Sequence, residues 1–264
     1  MPDAATPCRI EAVPVLGDNY VWVLHDGRHA VVVDPGEGPP VGSWLRERGL
    51  ALTTILITHH HGDHIGGVPY LCGAWPEAIV MAPEDARIPQ ALRRVGEGDR
   101  LRIGSPSFDF EVWAIPGHTS SHIAYVTVGA VFCGDTLFSA GCGRLFEGTP
   151  AQMLGSLQRL AQLPDDTAVY CTHEYTLGNC RFARHVDPDN AALRDYCSWV
   201  AARRAEALVT LPSRIDRERA VNPFLRIDEP PVRAALMKER GLQEGASPVE
   251  AFAVLRAWKD GFRG

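Results

Sequence analysis

The chain has 264 residues, 45% of them hydrophobic and 22% charged, with a formal net charge of −6. That length buries a large core and sits where one domain can become two. The acidic balance, without any long run of like charge, argues against a nucleic-acid partner, and no run of about 18 apolar residues suggests a membrane span.

In chain order, short β-branched apolar runs predict strands over residues 21–24, 30–33, 54–58, 79–82, 108–115, 122–128, 131–133 and 168–172. Residues 41–48, stopped by Gly49, and 150–162, stopped by Pro164, carry helical spacing. Strands with intervening helices predict an α/β arrangement of sheets covered by helices. From about residue 174 the pattern turns helical. Asp187-Pro188 predicts a capping carboxylate ahead of a proline at the first helical position, with a helix running to about Val209. Residues 210–223, broken by Pro212 and Pro223, predict a loop. Ser247-Pro248-Val249-Glu250 predicts a capping box and a last helix ending near Phe262. The cysteines (Cys8, Cys72, Cys133, Cys142, Cys171, Cys180 and Cys197) are odd in number, irregularly spaced and free of any C-x-x-C pattern. A secreted disulfide framework looks different. With an N-terminus that lacks a basic start and an apolar run, no signal peptide is expected, and the setting expected is the cytoplasm.

His59, His61, Asp63 and His64 form H-x-H-x-D-H directly after the apolar run 54–58. Residues two apart on an extended chain point the same way, so His59 and His61 can hold one ion together. Gly62 permits a turn, and a helix opening there would face Asp63 and His64 toward a second position. His60 should point away from the ions. Imidazole and carboxylate suit zinc, and also iron or manganese. A surface histidine cluster is the plainer alternative, but it leaves this spacing after a strand unexplained. Further candidates end later apolar runs: His118 in Pro116-Gly117-His118-Thr119, Asp135 in Gly134-Asp135-Thr136, and His173 in Thr172-His173-Glu174. Each alone is ordinary turn chemistry. Their recurrence at one structural station is a joint signal.

The order H-x-H-x-D-H, then His118, Asp135 and His173, resembles the metallo-β-lactamase superfamily. The resemblance implies an α/β fold, a four-layer αββα sandwich with the metals at one edge. It implies His59, His61 and His118 on one divalent ion and Asp63, His64 and His173 on the other, with Asp135 bridging. Six further segments closely resemble the glyoxalase II, or hydroxyacylglutathione hydrolase, family. They are Asp18-Asn19-Tyr20, Gly134-Asp135-Thr136-Leu137-Phe138, Ala140-Gly141-Cys142-Gly143-Arg144, Thr172-His173-Glu174-Tyr175-Thr176-Leu177, Asn222-Pro223-Phe224-Leu225-Arg226 and Leu255-Arg256-Ala257-Trp258-Lys259-Asp260. The likeness spans essentially the whole chain. It implies a metallo-β-lactamase-like domain over residues 1–173 and a helical C-terminal domain over 174–264 that contributes glutathione binding.

The activity so implied is hydrolysis of S-(2-hydroxyacyl)glutathione thioesters, S-D-lactoylglutathione expected, to glutathione and D-lactate in methylglyoxal detoxification. Two divalent ions, zinc expected, would activate a bridging hydroxide, with Asp63 and Asp135 as catalytic carboxylates. A thiol leaving group has a pKa near about 8.5, so no strong general acid is needed. Arg256 and Lys259 lie three apart on the predicted last helix and share a face, where two cations can hold a carboxylate. Without the resemblance they would read as a solvated helix face. Arg144 and Tyr175 join the expected substrate contacts. Arg144 and Phe146 stand where related enzymes commonly carry Lys and Tyr; Arg144 keeps the charge, and Phe146, without a hydroxyl, is expected to forgo one polar contact to glutathione, with activity retained at altered affinity. Cys142 reads as a small packing residue, and Asp34 and His122 as residues that orient ligands or make turns. A monomer is expected, with no nucleic-acid or membrane partner. Alternatives of the same fold are a lactonase, a one-iron glutathione-persulfide dioxygenase and a nuclease; a non-enzymatic metal-binding protein is a fourth.

Overall fold

The computed structural model describes residues 8–263. Residues 1–7, on which the expectation about a signal peptide rests, lie outside them. Two compact units are present: residues up to Ala114 with Ser121–Gly134, and Ile115–Ser120 with residues from Asp135 on.

The first unit opens with a meander of β1 (Arg9–Val15), β2 (Asn19–His25) and β3 (His29–Val33), paired antiparallel. Helix α1 (Gly38–Glu47) carries the chain to β4 (Ala51–Leu56), which pairs parallel to β3. Two short helices, α2 (Gly62–Ile65) and α3 (Val68–Ala74), then lead to β5 (Ile79–Ala82) and β6 (Arg93–Arg94), both added in parallel. Val21, Val23, Val32 and Ile55 pack with Val41 and Leu45 of α1 and with Val68 and Leu71 of α3. Every residue of β2 and all but the first of β3 are buried, so both faces of these strands are covered and they read as continuous apolar runs.

An antiparallel run follows in the same unit: β7 (Arg100–Gly104), β8 (Ser107–Ala114), β9 (Ile123–Thr127) and β10 (Ala130–Gly134). Strands β1 and β7 were not expected from the sequence. In β7, charged Arg100 and Arg102 alternate with buried Leu101 and Ile103, a half-buried pattern that a search for apolar runs passes over.

The second unit contains a hairpin of β11 (Leu137–Phe138) and β12 (Gly141–Cys142), then α4 (Pro150–Leu160), opened by a capping box between Thr149 and Gln152. Strand β13 (Ala168–Cys171) is followed by α5 (Thr176–Val186) and α6 (Ala191–Ala205). Here the expected cap is corrected. Asp187 ends α5, and Asn190 caps α6 by accepting from Leu193 N at 3.0 Å. Asp187 instead accepts from Asn190 Nδ2 at 3.0 Å and Arg226 Nη2 at 3.3 Å. The helix also stops at Ala205, short of Val209.

Residues 210–223 are not a plain loop. They hold β14 (Ser213–Arg214), antiparallel to β13, and α7 (Ile215–Val221), whose inward side is Ile215, Glu218 and Val221. A glutamate inside that stripe hid the helix from apolar periodicity. Helix α8 (Pro230–Arg240) ends in a left-handed Gly241. The last helix, α9 (Pro248–Gly261), starts from the Ser247–Glu250 capping box as expected and buries Phe252, Leu255 and Trp258.

Candidate metal centre

In the first unit β4 ends at Leu56, two residues short of the strand expected over 54–58, and the chain bends at Thr58 before it reaches His59; both His59 and His64 are buried. His61 keeps an extended backbone (φ −61°, ψ 146°) and caps α2, which turns His64 inward. His59 Nε2 lies 3.0 Å from His61 Nδ1. Two nitrogens on one tetrahedral zinc sit about 3.3 Å apart, given Zn–N bonds near about 2.0–2.1 Å. At 3.0 Å the two nitrogens are at hydrogen-bond distance and close enough together to share one ion.

The other ring nitrogens have defined partners. Asp34, in the left-handed region at φ 50°, accepts from Thr58 N at 2.7 Å, from Thr58 Oγ1 at 2.6 Å and from His64 Nδ1 at 3.0 Å. Because the Thr58 hydroxyl hydrogen goes to Asp34, Thr58 Oγ1 accepts from His59 Nδ1 at 3.1 Å. Both His59 and His64 therefore carry their lone pair on Nε2, the tautomer a metal requires. His122 stacks on His59 with centroids 4.6 Å apart, and its own Nδ1 donates to Ile123 O at 3.1 Å. Gly134 (φ 47°) closes this corner, since a Cβ there would fall 2.4 Å from Thr58 Oγ1. Asp63 is half-buried, and its Oδ2 lies 3.3 Å from Asn19 Nδ2 and 3.8 Å from His64 Nε2. His60 pairs instead with Asp85, Nδ1 to Oδ2 at 3.4 Å. Hydrogen bonds from Arg87 and Ser121 hold the Asp85 carboxyl well below the usual carboxylate range.

In the second unit Asp135 Oδ2 lies 3.4 Å from His118 Nε2 and 3.4 Å from His173 Nε2. Those separations exceed a good hydrogen bond and match the edge between two ligands of one ion. One carboxylate oxygen thus stands equally far from two imidazole nitrogens. His118 Nδ1 donates to Arg144 O at 2.8 Å, which again leaves Nε2 as the acceptor. Tyr175 stacks on His173 at 4.6 Å and 6°, with Phe138 edge-on to both rings. The donor chemistry of both units thus suits divalent cations.

The residues expected to bind substrate also lie in the second unit. Arg256 is buried, donating from Nη1 to Cys142 O at 2.8 Å and from Nη2 to Asp260 Oδ1 at 3.0 Å. Arg144 Nε reaches the same Asp260 oxygen at 3.5 Å, and Lys259 Nζ donates to Gly178 O at 3.3 Å. Desolvation, with help from Arg256, lowers the Lys259 pKa to about 8. Burial pushes the Cys142 thiol up to about 11, which suits a packing role rather than a nucleophile. Phe146 is 63% exposed and stands edge-on to His118 at 5.2 Å.

Residues 14–173 match the model of the metallo-beta-lactamase superfamily, and residues 174–262 match that of the hydroxyacylglutathione hydrolase C-terminus. A hydroxyacylglutathione hydrolase of Cupriavidus taiwanensis is 52% identical over 266 residues, covering 97% of this chain and 99% of its own. The chain belongs to the hydroxyacylglutathione hydrolase family. Its fold is accordingly the metallo-beta-lactamase fold with a C-terminal helical region. Solved structures agree: ETHE1 from Myxococcus xanthus has a TM-score of 0.63 at 26% identity, covering 96% of this chain and 98% of its own. TTHA1623 in a di-iron-bound form has a TM-score of 0.60 at 26% identity, covering 81% and 100%. For a hydroxyacylglutathione hydrolase of this fold, the His and Asp donors described above go with divalent metal ions.

Within this family member, sequence reasoning missed the residues that grip the segment after Asp135. Glu218 and Asn222 of the α7 region and Asn179 of α5 bond to the β11–β12 turn. Asn222 lies in a quoted motif, yet nothing in its type announces this task. The one available signal was Glu218, a charged residue at the centre of an otherwise apolar i, i+3, i+6 stripe.

Proposed function

We propose that the chain hydrolyses S-(2-hydroxyacyl)glutathione thioesters, S-D-lactoylglutathione above all, to glutathione and D-lactate, using two divalent ions. Membership of the hydroxyacylglutathione hydrolase family makes it a thioester hydrolase; the ion count, zinc as the metal and the individual residue roles are our reading. The observation that carries it is the Asp135 oxygen 3.4 Å from the Nε2 atoms of both His118 and His173. One ion would be held by His59, His61 and His118 and the other by Asp63, His64 and His173, with Asp135 shared. Bound there, such ions lower the pKa of water toward neutrality and polarise a thioester carbonyl.

The chain's own groups supply the rest. Asp34, Thr58 and the Arg144 carbonyl keep three histidines in the ligating tautomer. Asp63, only half-buried, accepts a hydrogen bond from the attacking water and orients it. Arg144, Lys259 and Arg256 provide positive charge for the glutathione carboxylate, and Tyr175 and Phe146 offer ring surfaces to the tripeptide. The departing thiolate needs no strong acid. We further propose a domain boundary at residues 173 and 174, a monomer without nucleic-acid partners, and a cytoplasmic location. No helix among the described residues is long and apolar enough to cross a membrane. The test is release of free thiol from S-D-lactoylglutathione, with metal content measured on the same sample. Protein holding two ions per chain without thioesterase activity would overturn the substrate and leave the centre standing; oxygen consumption with glutathione persulfide would favour the dioxygenase instead.

A further inference from the structure

Helix α7 places the Glu218 carboxylate in a fully buried position, where burial raises its pKa. Nothing in the proposed chemistry uses this group. Its oxygens are nevertheless fully engaged. Oε2 accepts from Ala140 N at 2.8 Å and from Asn222 Nδ2 at 2.9 Å. Oε1 accepts from Ser139 Oγ at 3.2 Å and from Ser213 Oγ. Asn222 Nδ2 also reaches Phe138 O at 3.1 Å and Gly141 O at 2.9 Å, and Asn179 Nδ2 reaches Ser139 O at 3.0 Å. The backbone of the β11–β12 turn is thus tied at each of its residues from Phe138 to Gly141.

That turn is conformationally demanding. Ala140 holds φ 53°, a left-handed value that disfavours any residue with a Cβ, and the hydrogen bond to Glu218 is made by the amide of that residue. The ends of the hairpin are the metal-site parts. Asp135 lies two residues before β11. Gly143, just after β12, donates to Thr136 O at 3.1 Å and packs so closely that a Cβ would fall 1.9 Å from Asp135 O. Next comes Arg144, whose carbonyl orients His118.

We propose that Glu218 is a positioning residue: through Ala140 and Asn222 it sets the hairpin that places both Asp135 Oδ2 and the Arg144 carbonyl. The inference rests on the proposed metal centre. Its geometry also says what replacement the site tolerates. A glutamine can keep its oxygen on Ala140 and Asn222 and turn its amide nitrogen toward Ser139 and Ser213, whose hydroxyls also accept. An alanine cannot.

The experiment compares Glu218→Ala, Glu218→Gln and the double variant Glu218→Ala with Ala140→Gly, reading zinc affinity by chelator competition beside circular dichroism and thermal melting. Loss of an outer partner of a metal ligand weakens binding by about 10–100-fold, and that loss is expected for Glu218→Ala. Glu218→Gln should bind zinc close to the wild type. Ala140→Gly should recover affinity in the Glu218→Ala background, because glycine takes the left-handed conformation without the carboxylate. A core-filling role predicts no such rescue, so a double variant as weak as Glu218→Ala overturns the proposal. Wild-type affinity in Glu218→Ala overturns it as well. Should Glu218→Ala fail to fold, Asn222→Ser replaces it, again with and without Ala140→Gly. Wild-type thioesterase activity, measured separately, reports on the substrate reading; a wild type that binds no zinc sinks both.

Discussion

Asp34→Asn isolates the tautomer logic of the centre without changing its volume. The amide oxygen can keep the bond from Thr58 N, made by Oδ1 at 2.7 Å, so the amide nitrogen takes the place of Oδ2. There it faces two groups that now donate, Thr58 Oγ1 at 2.6 Å and His64 Nδ1 at 3.0 Å. The hydroxyl can rotate. The imidazole can respond only by moving its proton to Nε2, which removes the lone pair an ion needs. A hydrogen bond to a charged group is worth about 1.5–3 kcal/mol, and losing it from the ligating state alone corresponds to about 10–150-fold in affinity. Independently, deleting the partner of a metal-binding histidine weakens binding by about 10–100-fold. The assay is competition against a chromophoric chelator, with melting of the metal-free variant to show an intact fold. Asp34→Asn with wild-type affinity would falsify the assignment of Nε2 as the ligating nitrogen of His64.

Lys259, with its pKa lowered to about 8, should hold the substrate carboxylate only while protonated, so KM should rise as pH passes upward through about 8 while kcat stays level. Lys259→Met should remove that pH dependence, and a KM–pH profile identical to wild type would exclude the lysine from binding. The sign for folding is opposite: between about 8 and the ordinary lysine value the unfolded chain binds the extra proton, so this group's contribution to stability rises with pH. Gly134→Ala forces a Cβ to 2.4 Å from Thr58 Oγ1 at a residue with φ 47°, and should lower stability by about 1–3 kcal/mol in urea unfolding while loosening metal binding. Unchanged stability would mean the corner relaxes freely. Phe146→Tyr should lower KM for the glutathione thioester by restoring a hydroxyl beside His118; steady-state kinetics with no change in KM would show that this hydroxyl contacts nothing that matters.

How much of this was legible in the chain depended on range. The capping box at Ser247 is local, because both partners lie within three residues, and the last helix starts where its sequence indicates. The Asp187 cap failed for a related reason. Aspartate before proline satisfies the local rule, but Asn190 three residues later satisfies it too, and Asp187 is drawn to Arg226, almost forty residues away in sequence. Local chemistry offered two solutions, and a long-range partner selected between them. Helix α7 was lost because its inward stripe contains Glu218, a residue that hydrophobic periodicity counts as outward-facing.

The same division runs through the site. The residues proposed as ligands can be read from type and spacing, since ligand chemistry restricts them to a few types and His59 to His64 lie on one short turn into α2. Residues that orient those ligands do so with backbone atoms or with side chains of any polar type. The His118 tautomer depends on the carbonyl of Arg144, an atom every residue possesses, so no reading of side chains could find it. The Ala140 turn depends on a glutamate 78 positions away. Arg256 mixes both kinds. Its charge suggested a carboxylate ligand, yet most of its hydrogen bonding goes to Cys142 O and Asp260. Removing it should therefore disturb the hairpin that carries Asp135 as well as substrate binding, so an Arg256→Ala effect on kcat would not by itself place that side chain on the substrate.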